Sequence, residues 1–151
     1  MKIAVTGATG YIASLVMSMN PQIEWVPVGR KDLDLSNPEA VYDYFTKLDF
    51  DAVFHCAAMA QTADCENYPE LTHRINVESA IELGKVCKEK NARFVFISTE
   101  QVFNGVSEHG PFAEDHPVCS VTKYGNHNIE CEQWINENLD NFLILRFSWM
   151  L

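Results

Sequence analysis

Met1-Lys-Ile-Ala-Val-Thr-Gly-Ala-Thr-Gly-Tyr-Ile-Ala13 opens the chain, and its reading decides the fold. Ile3, Ala4 and Val5 form a short apolar run, consistent with a buried strand. Thr6-Gly-Ala-Thr-Gly10 then turns the chain, and Tyr11 to Met19 reads as the first helix. A glycine turn between a buried strand and a helix N-terminus is a phosphate cradle. Glycine lets the backbone approach a pyrophosphate, and free N–H groups with the helix dipole favour the anion. An ordinary βα turn is the bland alternative. The position directly after a strand, opening a βα repeat, favours anion binding.

Strand and helix signals alternate from there. Ile23 to Val28 reads as a strand that ends at Gly29-Arg30-Lys31. Ser36-Asn-Pro-Glu39 starts a helix that runs to about Leu48, with a capping residue, a proline in the first turn and an early carboxylate. Asp51 to His55 is a third strand. Leu71, Ile75, Ile81, Leu83 and Val86 mark a helical stretch from about Tyr68 to Lys90. Arg93 to Ile97 is a fourth strand, and Thr99 to Ser120, with Gly105, Gly110, Pro111 and Pro117, reads as an ordered loop. Thr122 to about Asn138 is a late helix and Phe142 to Phe147 a final strand. This alternation predicts an α/β fold: a doubly wound parallel sheet, covered on both faces in three αβα layers, forming one domain over residues 1–151.

A chain of 151 residues that is 47% hydrophobic can bury one core. Its net charge of −10 and lack of any basic run argue against nucleic-acid or anionic-membrane partners, since nothing would release phosphate counterions. An anionic ligand has to be held locally, by helix ends and a few basic side chains. No apolar run approaches membrane-spanning length, and Met1-Lys2 leads directly into a strand rather than a signal peptide. The five cysteines (Cys56, Cys65, Cys87, Cys119, Cys131) are odd in number without a C-x-x-C pair, which reads as reduced thiols and a cytoplasmic location. The five histidines lack metal-ligand spacing, so no metal is expected.

Such a sheet binds its ligand beyond the carboxyl ends of its strands, where strand order reverses. The first candidates are Gly7 and Gly10, and the second are Arg30 and Lys31 after the second strand. NAD-selective sites place a carboxylate there for the ribose 2′-hydroxyl. Two cations at this tip instead suit a 2′-phosphate, hence NADP(H) in preference to NAD(H). After the third strand, the small residues of Cys56-Ala57-Ala58-Met59 allow close approach to a cofactor, although plain packing also explains them.

Thr6-Gly-x-x-Gly10, Asp34-Leu35, Asn76-Val77, Ser98-Thr-Glu-Gln-Val-Phe-Asn-Gly105, Glu114-Asp115 and Tyr124-Gly125 follow one another in the order typical of extended short-chain dehydrogenases. Within them the chain most resembles the dTDP-4-dehydrorhamnose reductases, over essentially its whole length. Leu143 to Trp149 resembles the strand that precedes that family's substrate-binding segment. The resemblance implies a Rossmann-like NAD(P)-binding domain and a sugar-nucleotide substrate. It implies that Gly10, Tyr11 and Ile12 wrap the pyrophosphate, that Asp34 and Leu35 lie near the adenine, and that Ala57, Ala58 and Met59 lie on the nicotinamide side. Asn76 and Asn128 join the cofactor set by the same match. Thr99 and Glu100 would face the sugar, with Thr99 as hydroxyl partner, and Tyr124 would protonate the keto oxygen as hydride arrives.

Two positions depart from the family's pattern. The third glycine of the turn is Ala13, which a helix–strand contact tolerates. Four residues after Tyr124 the family has a lysine that holds the ribose and lowers the tyrosine pKa; here it is Asn128. An unperturbed phenol near ~10 exchanges protons poorly at neutral pH, and the loss of such tuning costs on the order of 10²–10⁴ in rate. Asn128 offers hydrogen bonds but no charge. Lys123 is no substitute, pointing about 100° away around the helix.

The family's substrate half lies beyond the strand near Trp149 and is absent from this chain, so an uncovered apolar face or edge and self-association are expected. The leading expectation is reduction of a 4-keto sugar nucleotide. A non-catalytic dinucleotide-binding module that regulates a protein partner is the alternative, favoured by Asn128. An epimerase or dehydratase would share this cofactor half, but the segment after the fourth strand is closer to the reductases.

Overall fold

The computed structural model describes residues 1–148 and 150; Trp149 and Leu151, named in the sequence reading, lie outside the described residues. β1 (Lys2–Thr6), β2 (Glu24–Val28), β3 (Ala52–His55), β4 (Arg93–Thr99) and β5 (Phe142–Phe147) pair as one parallel sheet in the order β2-β1-β3-β4-β5. The helices are α1 (Tyr11–Met19), α2 (Pro38–Lys47), α3 (Thr62–Asn67), α4 (Pro69–His73), α5 (Ser79–Glu89) and α6 (Lys123–Asn138). A π-helical turn, Arg74–Glu78, joins α4 to α5, and a 3₁₀ turn, Glu100–Phe103, follows β4.

Period-two alternation divides the strand side chains between two faces. Ala4, Val53, Phe94 and Phe96 join Val41, Phe45, Leu83, Val86 and Ile135 in the larger core, under α2, α5 and α6. Phe45, Phe94, Leu83 and Ile135 are fully buried there, each contributing roughly 1.5–3 kcal/mol. Val5 and Phe54 turn to the other face, where Ala13, Ile12, Val16 and Met17 of α1 cover them. The three layers expected from the sequence are present, but unequal. Among the described residues α1 alone supplies helical cover to the second face, and Ile3, Trp25, Val95 and Ile97 are only partly buried there.

A buried polar clamp ties the far end of the sheet together. Glu132 of α6 accepts from Ser98 Oγ of β4 at 2.5 Å and from Arg146 of β5 at 3.0 and 2.7 Å. Arg146 also donates to the Glu114 carbonyl and lies over the Phe103 ring, which fixes the 104–122 loop to the sheet.

Two local features refine the sequence reading. Within Ser36-Asn-Pro-Glu39 the capping residue is Asn37, its Oδ1 accepting from Ala40 N–H, while Ser36 is turned back onto Asp34. Helix α3 was not expected, since six residues with one buried side chain, Cys65, carry no periodic signal.

Candidate functional site

β2 lies on one side of β1 and β3 on the other, so strand order reverses at β1 and a crevice opens beyond its carboxyl end. Gly7 stands in that crevice with φ +66°, where a Cβ would sit 2.9 Å from the Ala57 backbone nitrogen. Glycine is required both for the left-handed backbone and for the close approach. Thr6 Oγ1 braces the same point, accepting from Cys56 and Ala57 N–H at 3.2 Å each and pairing with His55 Nδ1 at 2.8 Å. With both lone pairs taken, the hydroxyl donates to a neutral His55. Burial pushes that imidazole down to about 4.

Gly10 precedes α1 in extended conformation with no side-chain cap and no acidic residue in the first turn. Gly10 N–H is spent on the Gly7 carbonyl at 2.8 Å and the first bond into the helix is Ser14 N–H to the Gly10 carbonyl, which leaves the N–H groups of Tyr11, Ile12 and Ala13 available to an anion. A cavity of about 570 Å³ lies in front of this end. Of the residues read from sequence, Gly7, Gly10, Arg30, Asp34, Leu35, Ala57, Ala58 and Met59 line it together. Thr6, Thr9, Val28, Gly29, Leu33, Cys56 and Ile75 complete the wall. Thr9 shares the interval between the two glycines with Ala8, Ile75 reads in sequence only as an apolar helix position, and Leu33 carries no signal of its own.

Five of the expected cofactor residues, Tyr11, Ile12, Lys31, Asn76 and Asn128, lie outside that lining. Ile12 packs against the second sheet face, Tyr11 is 62% exposed, and Lys31 is exposed beside Arg30 without reaching the wall. Arg30 is therefore the cation of the cavity. An acid does stand near the tip: Asp32 Oδ2 accepts from Gly29 N–H at 2.8 Å, which closes the turn and leaves Asp32 out of the lining. Asp34 accepts from the Ser36 hydroxyl and N–H, and these bonds hold its carboxyl below the usual range.

Asn76 lies in the π turn, a deviation frequent at functional sites. Its Oδ1 accepts from Met59 N–H at 2.8 Å and its Nδ2 donates to the Met59 carbonyl at 3.0 Å, so the amide grips the wall segment from behind. Thr99, Glu100, Tyr124 and Asn128 gather at the end of β4 and the start of α6, outside the cavity lining. Thr99 Oγ1 donates to Glu100 Oε2 at 2.9 Å and accepts from Gln101 N–H. Thr122 caps α6, and a Cβ at Gly125 would overlap Ser120, so this helix end is packed close onto the 3₁₀ turn. Burial raises the Tyr124 phenol above its ordinary value, with an opposing pull from the Asn128 amide. Asn128 is itself buried and donates to the Tyr124 carbonyl at 2.9 Å within its own helix. Among the described residues no cation offsets the burial of the phenol.

Among the described residues no group of three or more acidic, histidine or cysteine side chains could hold a metal ion, and no helix is long and apolar enough to cross a membrane.

The sequence model of the RmlD substrate binding domain matches residues 1–151. A dTDP-4-dehydrorhamnose reductase of Burkholderia thailandensis is 30% identical over 151 residues, 99% of this chain and 50% of that protein. Methionine adenosyltransferase 2 subunit beta of Bos taurus is 26% identical over 154 residues, 96% of this chain and 46% of that protein. The crystal structure of dTDP-4-dehydrorhamnose reductase from Bacillus anthracis in complex with NADP superposes with a TM-score of 0.89 at 26% identity, covering 99% of this chain and 54% of that one. The chain thus spans about half the length of the proteins it matches.

Proposed function

The chain belongs to the RmlD substrate-binding domain family, and on that premise we propose that it holds a nicotinamide dinucleotide, NADP(H) in preference to NAD(H), for reduction of a 4-keto sugar nucleotide of the dTDP-4-dehydrorhamnose type. The observation that carries this reading is the backbone approach of Gly7 to Ala57 at the point where strand order reverses, in front of an uncapped helix end. The residues present fit such a cofactor: a side chain at position 7 would fill the cradle, and among the described residues the 570 Å³ cavity is lined by one cation, Arg30, which follows β2 on the opposite side of β1 from the Met59 segment after β3.

In this reading Gly7, Gly10 and the first turn of α1, including Tyr11 and Ile12 through their backbone, hold the pyrophosphate. Arg30 takes the 2′-phosphate, with Lys31 as a second cation nearby, and Asp34 and Leu35 flank the adenine. Ala57, Ala58 and Met59, fixed by Asn76, form the nicotinamide side, with Asn128 a hydrogen-bonding group where the family has a cation. The bound cofactor supplies hydride. Thr99 and Glu100 orient the sugar through hydrogen bonds, and Tyr124 holds, at its phenolic oxygen, the proton that the keto oxygen needs. The setting is cytoplasmic.

A second reading has a specific observation in its favour. Asn128 replaces the cation and the Tyr124 pKa is raised, so the arrangement also suits a non-catalytic module that binds the cofactor and regulates a protein partner or a second copy of itself. One relative is named as a subunit of another enzyme. The deciding experiment assays the longest polypeptide its gene encodes with NADPH and a dTDP-4-keto sugar. Turnover that Tyr124→Phe abolishes supports the reductase; dinucleotide binding without turnover supports the module.

A further inference from the structure

The Asn76 amide gives one Nδ2 hydrogen to the Met59 carbonyl, and the other faces Cys65 Sγ of α3 at 3.8 Å and, closer, a ring nitrogen on α6. Asn76 Nδ2 stands 3.3 Å from Nδ1 of His127, which is 6% exposed on α6, three residues after Tyr124. The two bonds to Met59 leave no freedom in the amide: Oδ1 must face the Met59 N–H and Nδ2 the Met59 carbonyl. His127 Nδ1 therefore meets a donor, and only the neutral ring, with its proton on Nε2, can accept there. We propose that His127 is a positioning residue of the cofactor cleft: the neutral ring locks the Asn76 amide and with it the Met59 segment, and protonation of the ring releases that segment and weakens dinucleotide binding.

A proton on Nδ1 would set N–H against N–H₂. Turning the amide over to satisfy the charged ring would present its N–H₂ to the Met59 N–H and its oxygen to the Met59 carbonyl, so both wall bonds are lost together. The inference rests on the dinucleotide reading of the cavity that Met59 lines.

The surroundings set where the ring titrates. From α4, His73 meets His127 edge-to-face at 5.6 Å between ring centroids, and its own nitrogens face Glu78 of the π turn and Glu130 of α6 at 3.2 and 3.1 Å. Arg74 of the π turn, Glu70 of α4 and Lys123 of α6 line the same 520 Å³ surface cleft as His127, and Glu66 of α3 is close enough to act on it. Burial first, and then His73 and Lys123, push the His127 pKa below the ordinary histidine value, while Glu130 and Glu66 oppose the shift. The release therefore falls on the acid side of neutrality, and any charge His73 carries moves it further down.

The test titrates the chain with NAD⁺, which lacks the 2′-phosphate whose own titration would blur the result, between pH 8 and pH 5. Wild type is expected to bind at pH 8 and to weaken about fivefold or more at pH 5, the scale of losing one to two ordinary hydrogen bonds. His127→Gln, whose amide oxygen can accept without titrating, should keep the pH 8 affinity and lose the pH dependence; His127→Ala should be weak at both. A His127→Gln variant with the wild-type pH profile overturns the inference. A wild type that binds neither NAD⁺ nor NADP⁺ at pH 8 overturns the dinucleotide reading instead. In that case the Met59 amide signal in the free chain still decides the coupling: it is expected to follow the His127 ring titration in wild type and not in His127→Gln, and an unmoved signal overturns it.

Discussion

Gly7 and Ala57 meet backbone to backbone across the sheet's reversal point, so close that a Cβ on Gly7 would stand 2.9 Å from the Ala57 nitrogen. The contact joins the turn after β1 to the segment after β3, and the cavity opens in front of it.

Gly7→Ala combines a side chain at φ +66° with that collision. It is expected to lower stability by about 1–3 kcal/mol, the cost of a strained backbone position, and to remove dinucleotide binding. Denaturant unfolding and a cofactor titration of the same variant measure both. Gly10→Ala, whose added carbon would meet only the Gly7 carbonyl oxygen at 3.1 Å and at negative φ, should be milder in both.

Arg30→Ala is expected to weaken NADPH by about tenfold or more, the scale of a charge-assisted hydrogen bond, and to leave NADH unchanged. Lys31→Ala should do little, since Lys31 lies outside the cavity wall. Competition titrations with the two cofactors read the difference directly.

His55 links stability to pH. Its folded pKa, about 4, lies below the ordinary value of 6.5, so between those values the unfolded chain binds the extra proton. The contribution is fully present above pH ~6.5 and is lost as pH falls toward 4, about 3 kcal/mol in all. Urea unfolding at pH 7 and pH 4 should show that loss. His55→Gln, which keeps a polar partner for Thr6, should flatten it.

Asn128→Lys restores a cation one helical turn from Tyr124. The phenol pKa should fall, visible as an earlier tyrosinate transition in an ultraviolet pH titration. Any reductase activity of the longest polypeptide its gene encodes should rise ~10-fold or more, the low end of what acid catalysis supplies. A fallen pKa without gain in rate would place the defect elsewhere and favour the non-catalytic module.

Legibility from sequence tracked local signals. The β1–Gly7–Gly10–α1 unit, the five strands and the helix after Thr122 were readable because apolar runs, glycine turns and caps act over a few residues. The cavity wall was readable where it follows a strand, as with Ala57 to Met59, and at Arg30. What escaped depends on partners far apart in the chain. The Ser98–Glu132–Arg146 clamp spans 34 and 14 residues and has no spacing rule. The π turn that aims Asn76 at Met59 looks in sequence like ordinary helix, and the bond between Asn76 and His127 crosses 51 positions. Lys31 and Tyr11 sit next to wall residues in sequence, but side-chain direction removes them from the lining. An uncovered apolar face or edge was expected, but not which one, because Val95 and Ile97 are as apolar as the residues of the buried face.

The central claim is that the cleft at Gly7 holds a nicotinamide dinucleotide, and calorimetric titration of the folded chain with NADPH and NADH tests it most directly. Saturable one-to-one binding, tighter for NADPH and abolished by Gly7→Ala, is the expected result. No heat with either cofactor from a folded chain, or binding that Gly7→Ala leaves intact, would contradict it.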